Sequence, residues 1–196
     1  MSIVVVVKKG KQVVIASDTL TSSGQIKWSS KYKENSKKFF EYEGSYIGSV
    51  GMAMSKIMLN HALKNSEEEF DFSGLENIYG SMLKIHKLLK DDYYLVPTRK
   101  SGEQTVEATK LTLLIANSSG IYDIGHDRHI GELTKFWAIG SGGSFALGAM
   151  HQAYDKKKYS AEDIARIGVE SACEFDKSCA LPMDLQVIKL KEKCSK

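Results

Sequence analysis

Ser2 and the residues that can act on it hold the clearest chemical potential in this chain. Removal of Met1, which the small side chain of Ser2 permits, leaves a hydroxyl and a free α-amine on one residue. A serine hydroxyl attacks poorly at neutral pH without a neighbouring base. An α-amine titrates at about 7.7–8.0, well below the roughly 10.4 of a lysine, so it is partly neutral and can take that proton. With only Met1 ahead of Ser2, activation is expected to rest on methionine removal alone. Most Met-Ser starts are inert, and chemistry here needs partners elsewhere in the chain.

Several other residues invite a chemical reading. Taken alone, Asp18 reads as a turn residue closing the first hairpin and Lys37-Lys38 as an edge-strand charge pair. The two lysines are adjacent in a strand and point to opposite faces. Gly140-Ser141-Gly142-Gly143 suits a strand-to-helix turn or a phosphate cradle; without the lysine-threonine ending of a P-loop it argues against nucleotide. His126-Asp127-Arg128-His129 has no supporting ligand spacing and is expected to be a solvated loop, with no metal or cofactor. Cys173, Cys179 and Cys194 are odd in number and lack a C-x-x-C spacing, as in a reducing compartment. Cys179 as a nucleophile has no assigned base.

The elements that must position these groups follow from patterning. Two apolar runs, residues 3–7 and 13–16, flank the polar turn 8–12 and predict a hairpin. Residues 19–36 are too polar for core and are expected to loop across one face. Residues 37–42 and 46–51 predict a second hairpin. Helical spacing follows over 52–63, with Met54, Ile57, Met58 and His61 on one stripe, and over 75–89, with Ile78, Met82, Ile85 and Leu89. Residues 111–116 and 120–124 predict a third hairpin beyond a loop holding Pro97 and Gly102, and 135–139 a further strand. A helix over 144–154 precedes one opening on the capping box Ser160…Asp163 and carried by Ile164, Ile167, Ala172 and Phe175 to about Asp176. A strand over 185–190 and a solvated basic tail close the chain.

Strands, two helices, strands, two helices, strand is the order of an α+β layered fold, expected as one domain over 1–196. Lys+Arg 27 against Asp+Glu 24 gives a net charge of +3, spread along the chain, so nothing favours nucleic acid as a partner. No apolar run approaches the ~18 residues of a membrane span, and the first run is too short for a secretion signal. A cytoplasmic location is expected.

Four pieces, in order and nearly in spacing, resemble the proteasome β-type subunits and their bacterial proteasome-like relatives among the N-terminal nucleophile hydrolases. They are the first hairpin with Ser2 and Asp18; Ser36-Lys37-Lys38-Phe39-Phe40-Glu41-Tyr42; Gly48-Ser49-Val50-Gly51 ahead of a helix; and Ile139-Gly140-Ser141-Gly142-Gly143 ahead of another. The resemblance spans nearly the whole chain and implies a four-layer αββα sandwich of two antiparallel sheets flanked by helix pairs. It also implies a peptidase with Ser2 as nucleophile and its α-amine as base. Lys38 would be the cation that lowers their effective pKa, Asp18 its partner, and Gly51 N–H the oxyanion donor, with Ser141 and Asp176 orienting the N-terminus. Lys38 is preferred because it stands four before Tyr42, as in the family; counting back from Gly51 without a gap favours Lys37. The chain departs from the family in having Ser for Thr, Cys179 for serine, and Ala180-Leu181 for two glycines.

The specificity pocket is expected near Thr21, Ser49 and Ala53, small residues that imply a roomy or neutral site. Implied partners are peptide or unfolded protein, sister subunits in homo-oligomeric rings, and an ATP-dependent unfoldase. An inactive structural subunit of the same fold is the alternative, as is a transpeptidase or amidohydrolase using the same nucleophile.

Overall fold

The computed structural model describes residues 2–97 and 106–191. Met1, Gly102, and the basic tail with Cys194 lie outside the described residues. In chain order the elements are strands β1 (Ile3–Lys9), β2 (Gln12–Asp18), β3 (Thr21–Ser23), β4 (Ile26–Trp28), β5 (Phe39–Tyr42) and β6 (Ser45–Ser49), then helices α1 (Ala53–Asn65) and α2 (Leu75–Asp91). Strands β7 (Leu113–Ala116), β8 (Ile121–Ile124), β9 (Ile130–Leu133) and β10 (Phe136–Gly140) follow, then helices α3 (Gly143–Tyr154) and α4 (Ala161–Phe175), and strand β11 (Met183–Lys189).

The near-continuous β-branched run of β1 is what a strand covered on both faces requires. Its alternation splits the side chains between two cores. Ile3, Val5 and Val7 join Ala146, Met150, Ile164 and Val169 of α3 and α4. Val4 and Val6 turn the other way, to Phe39, Leu114 and Ile121 between the sheets. One sheet runs β10-β1-β2-β11 and the other β5-β6-β7-β8-β9, with every pairing antiparallel. Helices α1 and α2 cover the outer face of the second sheet, where Ile78, Met82, Ile85 and Leu89 of α2 are fully buried with Ile47 and Ile115. The result is the expected four-layer αββα sandwich. A one-residue slip of β1 would exchange its two core faces, and the pairing of Val4 with Ile139 and Ser17 fixes the register.

Several local expectations are corrected. Residues 19–36 are not a plain loop: Thr21–Ser23 and Ile26–Trp28 pair as a small ribbon, followed by two 3-10 turns. None of these strand residues is buried, so they left no alternation to read. Strand β9 was not expected; it pairs with β8 and is only partly buried. On α1 the inward residues are Ser55, Leu59, Ala62 and Leu63, while Met54 and Ile57 are exposed. Two apolar stripes compete on that helix, and contact with β5 and β6 selects the second. Phe175 likewise ends α4 facing outward, against Phe145.

The segment 126–129 is not simply solvated either. Arg128 is buried and its Nη1 donates to the carbonyl of Glu107 (2.7 Å) and to Thr109 Oγ1 (3.0 Å), tying the loop to the chain before β7.

Candidate active site

The site is built where β1 starts and β2 ends. Antiparallel pairing brings those two points together, because Val4 lies opposite Ser17 and the next residue on β2 is Asp18. Asp18 is fully buried, and its carboxylate accepts four hydrogen bonds. Oδ1 accepts from Ile3 N (3.0 Å) and Lys38 Nζ (2.5 Å); Oδ2 accepts from Leu20 N (3.1 Å) and Ala180 N (3.3 Å). These are the partners a buried charge needs, and through them one side chain joins β1, the approach to β5 and the approach to β11.

Lys38 stands directly ahead of β5 and is 8 % exposed. Its neighbour Lys37 is exposed, with its Nζ 4.6 Å from the ring centre of Phe39. Of the two adjacent lysines, the ion pair with Asp18 belongs to Lys38.

Ser2 is 8 % exposed and lines one cleft together with Lys38 and Gly51. Thr21, Ser49 and Ala53 line the same cleft, which holds about 620 Å³ of open space. Gly51 has φ +100°, a conformation glycine takes without strain and other residues avoid. Ser141 and Asp176 are outside this lining, and the Ser141 hydroxyl acts on the Asp176 carboxyl. Burial pushes the Asp176 carboxyl up, but the Ser141 hydroxyl and the Ser178 N–H (2.9 Å) hold it below the usual carboxylate range.

The turn after β10 holds Ser2 from behind. Gly140 has φ +106°, and a Cβ there would stand 2.0 Å from the Ser2 carbonyl oxygen, which in turn accepts a long bond from Gly142 N (3.5 Å). Of the glycines that looked able to cradle a phosphate, Gly140 instead makes room for the backbone of Ser2. Gly140→Ala is expected to displace the start of β1 and to cost about 3 kcal/mol or more, from strain plus clash. For a domain of this size that is a fall in Tm of roughly 6–12 °C; an unchanged Tm would show that the turn relaxes freely.

Sequence reasoning missed Lys33 and Lys56, which also line the cleft. Lys56 could have been found, since it follows Ala53 by three residues on α1 and so shares its side of the helix. Lys33 sits in an irregular segment with no periodicity to read.

Both described cysteines are poor nucleophiles. Burial, with Asp18 nearby, pushes the Cys173 thiol up to about 12 and also raises Cys179, whose Sγ donates to Asp176 (3.6 Å). Thiolate is the reactive form, so in the native protein at pH 8 both should resist iodoacetamide on a timescale that alkylates an ordinary thiol of pKa about 8.5. Peptide mapping would report this, and rapid alkylation of Cys179 would reopen the case for it as a nucleophile.

No family model matches the chain. Among solved structures it is similar to BPH of Thiobacillus denitrificans, a bacterial proteasome homologue, with 34 % identity and a TM-score of 0.89 over 97 % of this chain and 99 % of that one. The same protein solved in complex with epoxomicin gives 34 % identity and a TM-score of 0.88 over 96 % and 99 %. HslV of Trypanosoma brucei, at 23 % identity and a TM-score of 0.72 over 95 % and 99 %, shares the fold.

Proposed function

Since the chain belongs to the proteasome-like family of N-terminal nucleophile hydrolases, we propose that it is a serine-type endopeptidase working through Ser2, within a single domain over 1–196. The observation that carries this reading is the buried Lys38–Asp18 ion pair bordering the cleft that Ser2 lines.

Removal of Met1 frees the α-amine of Ser2. The amine takes the Oγ proton, directly or through water, as Oγ attacks the peptide carbonyl. The ammonium of Lys38 disfavours further positive charge nearby and so keeps more of the amine neutral. Asp18 balances Lys38 and, by accepting from Ile3 N, fixes the strand that carries Ser2. The Gly51 N–H donates to the tetrahedral oxyanion, where one aligned donor contributes roughly 3–4 kcal/mol. Collapse of that intermediate breaks the C–N bond, and the protonated amine returns its proton to the leaving nitrogen. Water then hydrolyses the Ser2 ester by the same steps in reverse roles. Ser141 and Asp176 act as positioning residues: Ser141 follows Gly140, which pairs with Ile3, so it adjoins the start of β1, and its hydroxyl acts on the Asp176 carboxyl.

The substrate is peptide or unfolded protein, and we expect homo-oligomeric rings that enclose the sites and an ATP-driven unfoldase that feeds them. The epoxomicin complex of the Thiobacillus protein makes an epoxyketone the natural probe. Intact mass should show loss of Met1 and one adduct at Ser2, absent in Ser2→Ala. A retained Met1 with no adduct would instead favour an inactive structural subunit. Release of free acid from a peptide substrate, rather than transfer to an added amine, would separate hydrolysis from transpeptidation.

A further inference from the structure

The cleft beside Ser2 is cationic, not neutral. Lys33, Lys37, Lys38 and Lys56 all line it, and among the described residues no carboxylate does. Two of these are committed, Lys38 to Asp18 at 2.5 Å and Lys37 to the face of Phe39 at 4.6 Å. The other two have neutral partners among the described residues. Lys33 Nζ donates to Thr21 Oγ1 (3.3 Å) and lies 5.9 Å from the Trp28 ring centre. Lys56 Nζ donates to the backbone carbonyls of Asn35 (3.4 Å) and Lys37. Thr21, Ser49 and Ala53 do line the cleft, but they are small and uncharged and offer these two ammonium groups no counter-charge.

The two positive charges are under-neutralised. Burial lowers the pKa of Lys56, and the charge of Lys33 lowers it further; Asp184 acts in the opposite sense from outside the cleft lining. An anion entering the cleft would relieve that repulsion and gain charge-assisted hydrogen bonds. In an attack by Ser2 the side chain nearest the reacting carbonyl is that of the residue on its acyl side, whose Cα is bonded directly to the carbonyl carbon. That side chain is the one placed to enter the cleft Ser2 lines.

We propose that this cleft selects an acidic residue, Glu or Asp, on the acyl side of the cleaved bond, with Lys56 and Lys33 as the residues that set the preference. The inference rests on Ser2 being the nucleophile, because that hydroxyl defines which bond is cut.

The test is kcat/KM for a set of fluorogenic peptides that differ only in Glu, Gln, Leu or Lys at that position, run on the full chain. At low ionic strength the Glu peptide should exceed its neutral isostere Gln by about tenfold or more, and the ratio should shrink as salt is raised. Lys56→Met and Lys33→Met should each lower the Glu/Gln ratio by roughly threefold, and the double variant should bring it near one; Lys56→Arg should keep it. The ratio compares two substrates on one protein, so a merely structural effect of a variant would move both and leave it unchanged. Cleavage of the Gln or Leu peptide as fast as the Glu peptide, with Ser2 still labelled by a neutral epoxyketone, would overturn this inference alone. A ratio unaltered in the double variant would do the same. Absence of both cleavage and labelling would sink the hydrolase reading and this inference with it.

Discussion

Ser2→Ala is expected to cut peptide hydrolysis by a factor on the order of 10⁴ or more, leaving only what binding and oxyanion stabilisation can supply. The reason is the lack of a substitute. The cysteines nearby, Cys173 and Cys179, are held as thiols by burial. Ser2→Thr keeps a hydroxyl and an α-amine on one residue and is expected to retain activity. Its added methyl must fit a position only 8 % exposed, so the loss should lie within about tenfold. A third variant, with a residue behind Met1 that blocks its removal, should be as inactive as Ser2→Ala while folding normally. Steady-state kcat/KM with a fluorogenic peptide, paired with intact mass, reads all three. Undiminished turnover by Ser2→Ala would exclude Ser2 as nucleophile.

Lys38→Ala is expected to damage stability and activity together. It strands the fully buried Asp18 carboxylate without its cation, and breaking a buried pair from one side costs about 3–5 kcal/mol. In a domain of this size the fall in Tm should be roughly 6–20 °C. Lys37→Ala removes a contact with one ring face at an exposed position, worth about 0.5–1 kcal/mol, and should leave turnover nearly intact. The two consequences of losing Lys38 can be separated. Replacing both partners, Asp18→Asn with Lys38→Met, removes the stranded charge, so much of the stability should return while peptide hydrolysis stays lost. Recovery of both would mean that the pair serves only the fold. Wild-type turnover in Lys38→Ala would remove it from the chemistry.

The elements legible in the sequence were those with one dominant period. The run 3–7 read as a strand of the first hairpin, and the α2 stripe of Ile78, Met82, Ile85 and Leu89 left no choice of face. The Ser160–Asp163 capping box announced the start of α4 and forms as expected, with both reciprocal bonds present. Elements without such a period were lost: the ribbon of β3 and β4 buries nothing, and β9 is only partly covered. On α1, where two stripes were possible, the local pattern favoured the wrong one.

By itself the sequence determined which residue types stand next to one another: a serine after the initial methionine, two lysines before Phe39-Phe40, and a glycine cluster closing a strand. Between neighbours the sequence offered only a preference for Lys38, resting on the resemblance, and the contact itself is made by the tertiary structure. Lys38 and Lys37 differ by one position, and only the packing of β5 against β1 and β2 gives one to Asp18 and leaves the other exposed. Lys9, which looked like part of a polar turn, reaches three backbone carbonyls, of Tyr154, Lys156 and Tyr159, more than a hundred residues away. The charge of the cleft was equally hidden, because Lys33 and Lys56 come from separate segments. Side-chain chemistry is local and can be read in order along the chain, whereas an electrostatic environment is a sum over groups that only folding brings within a few ångströms.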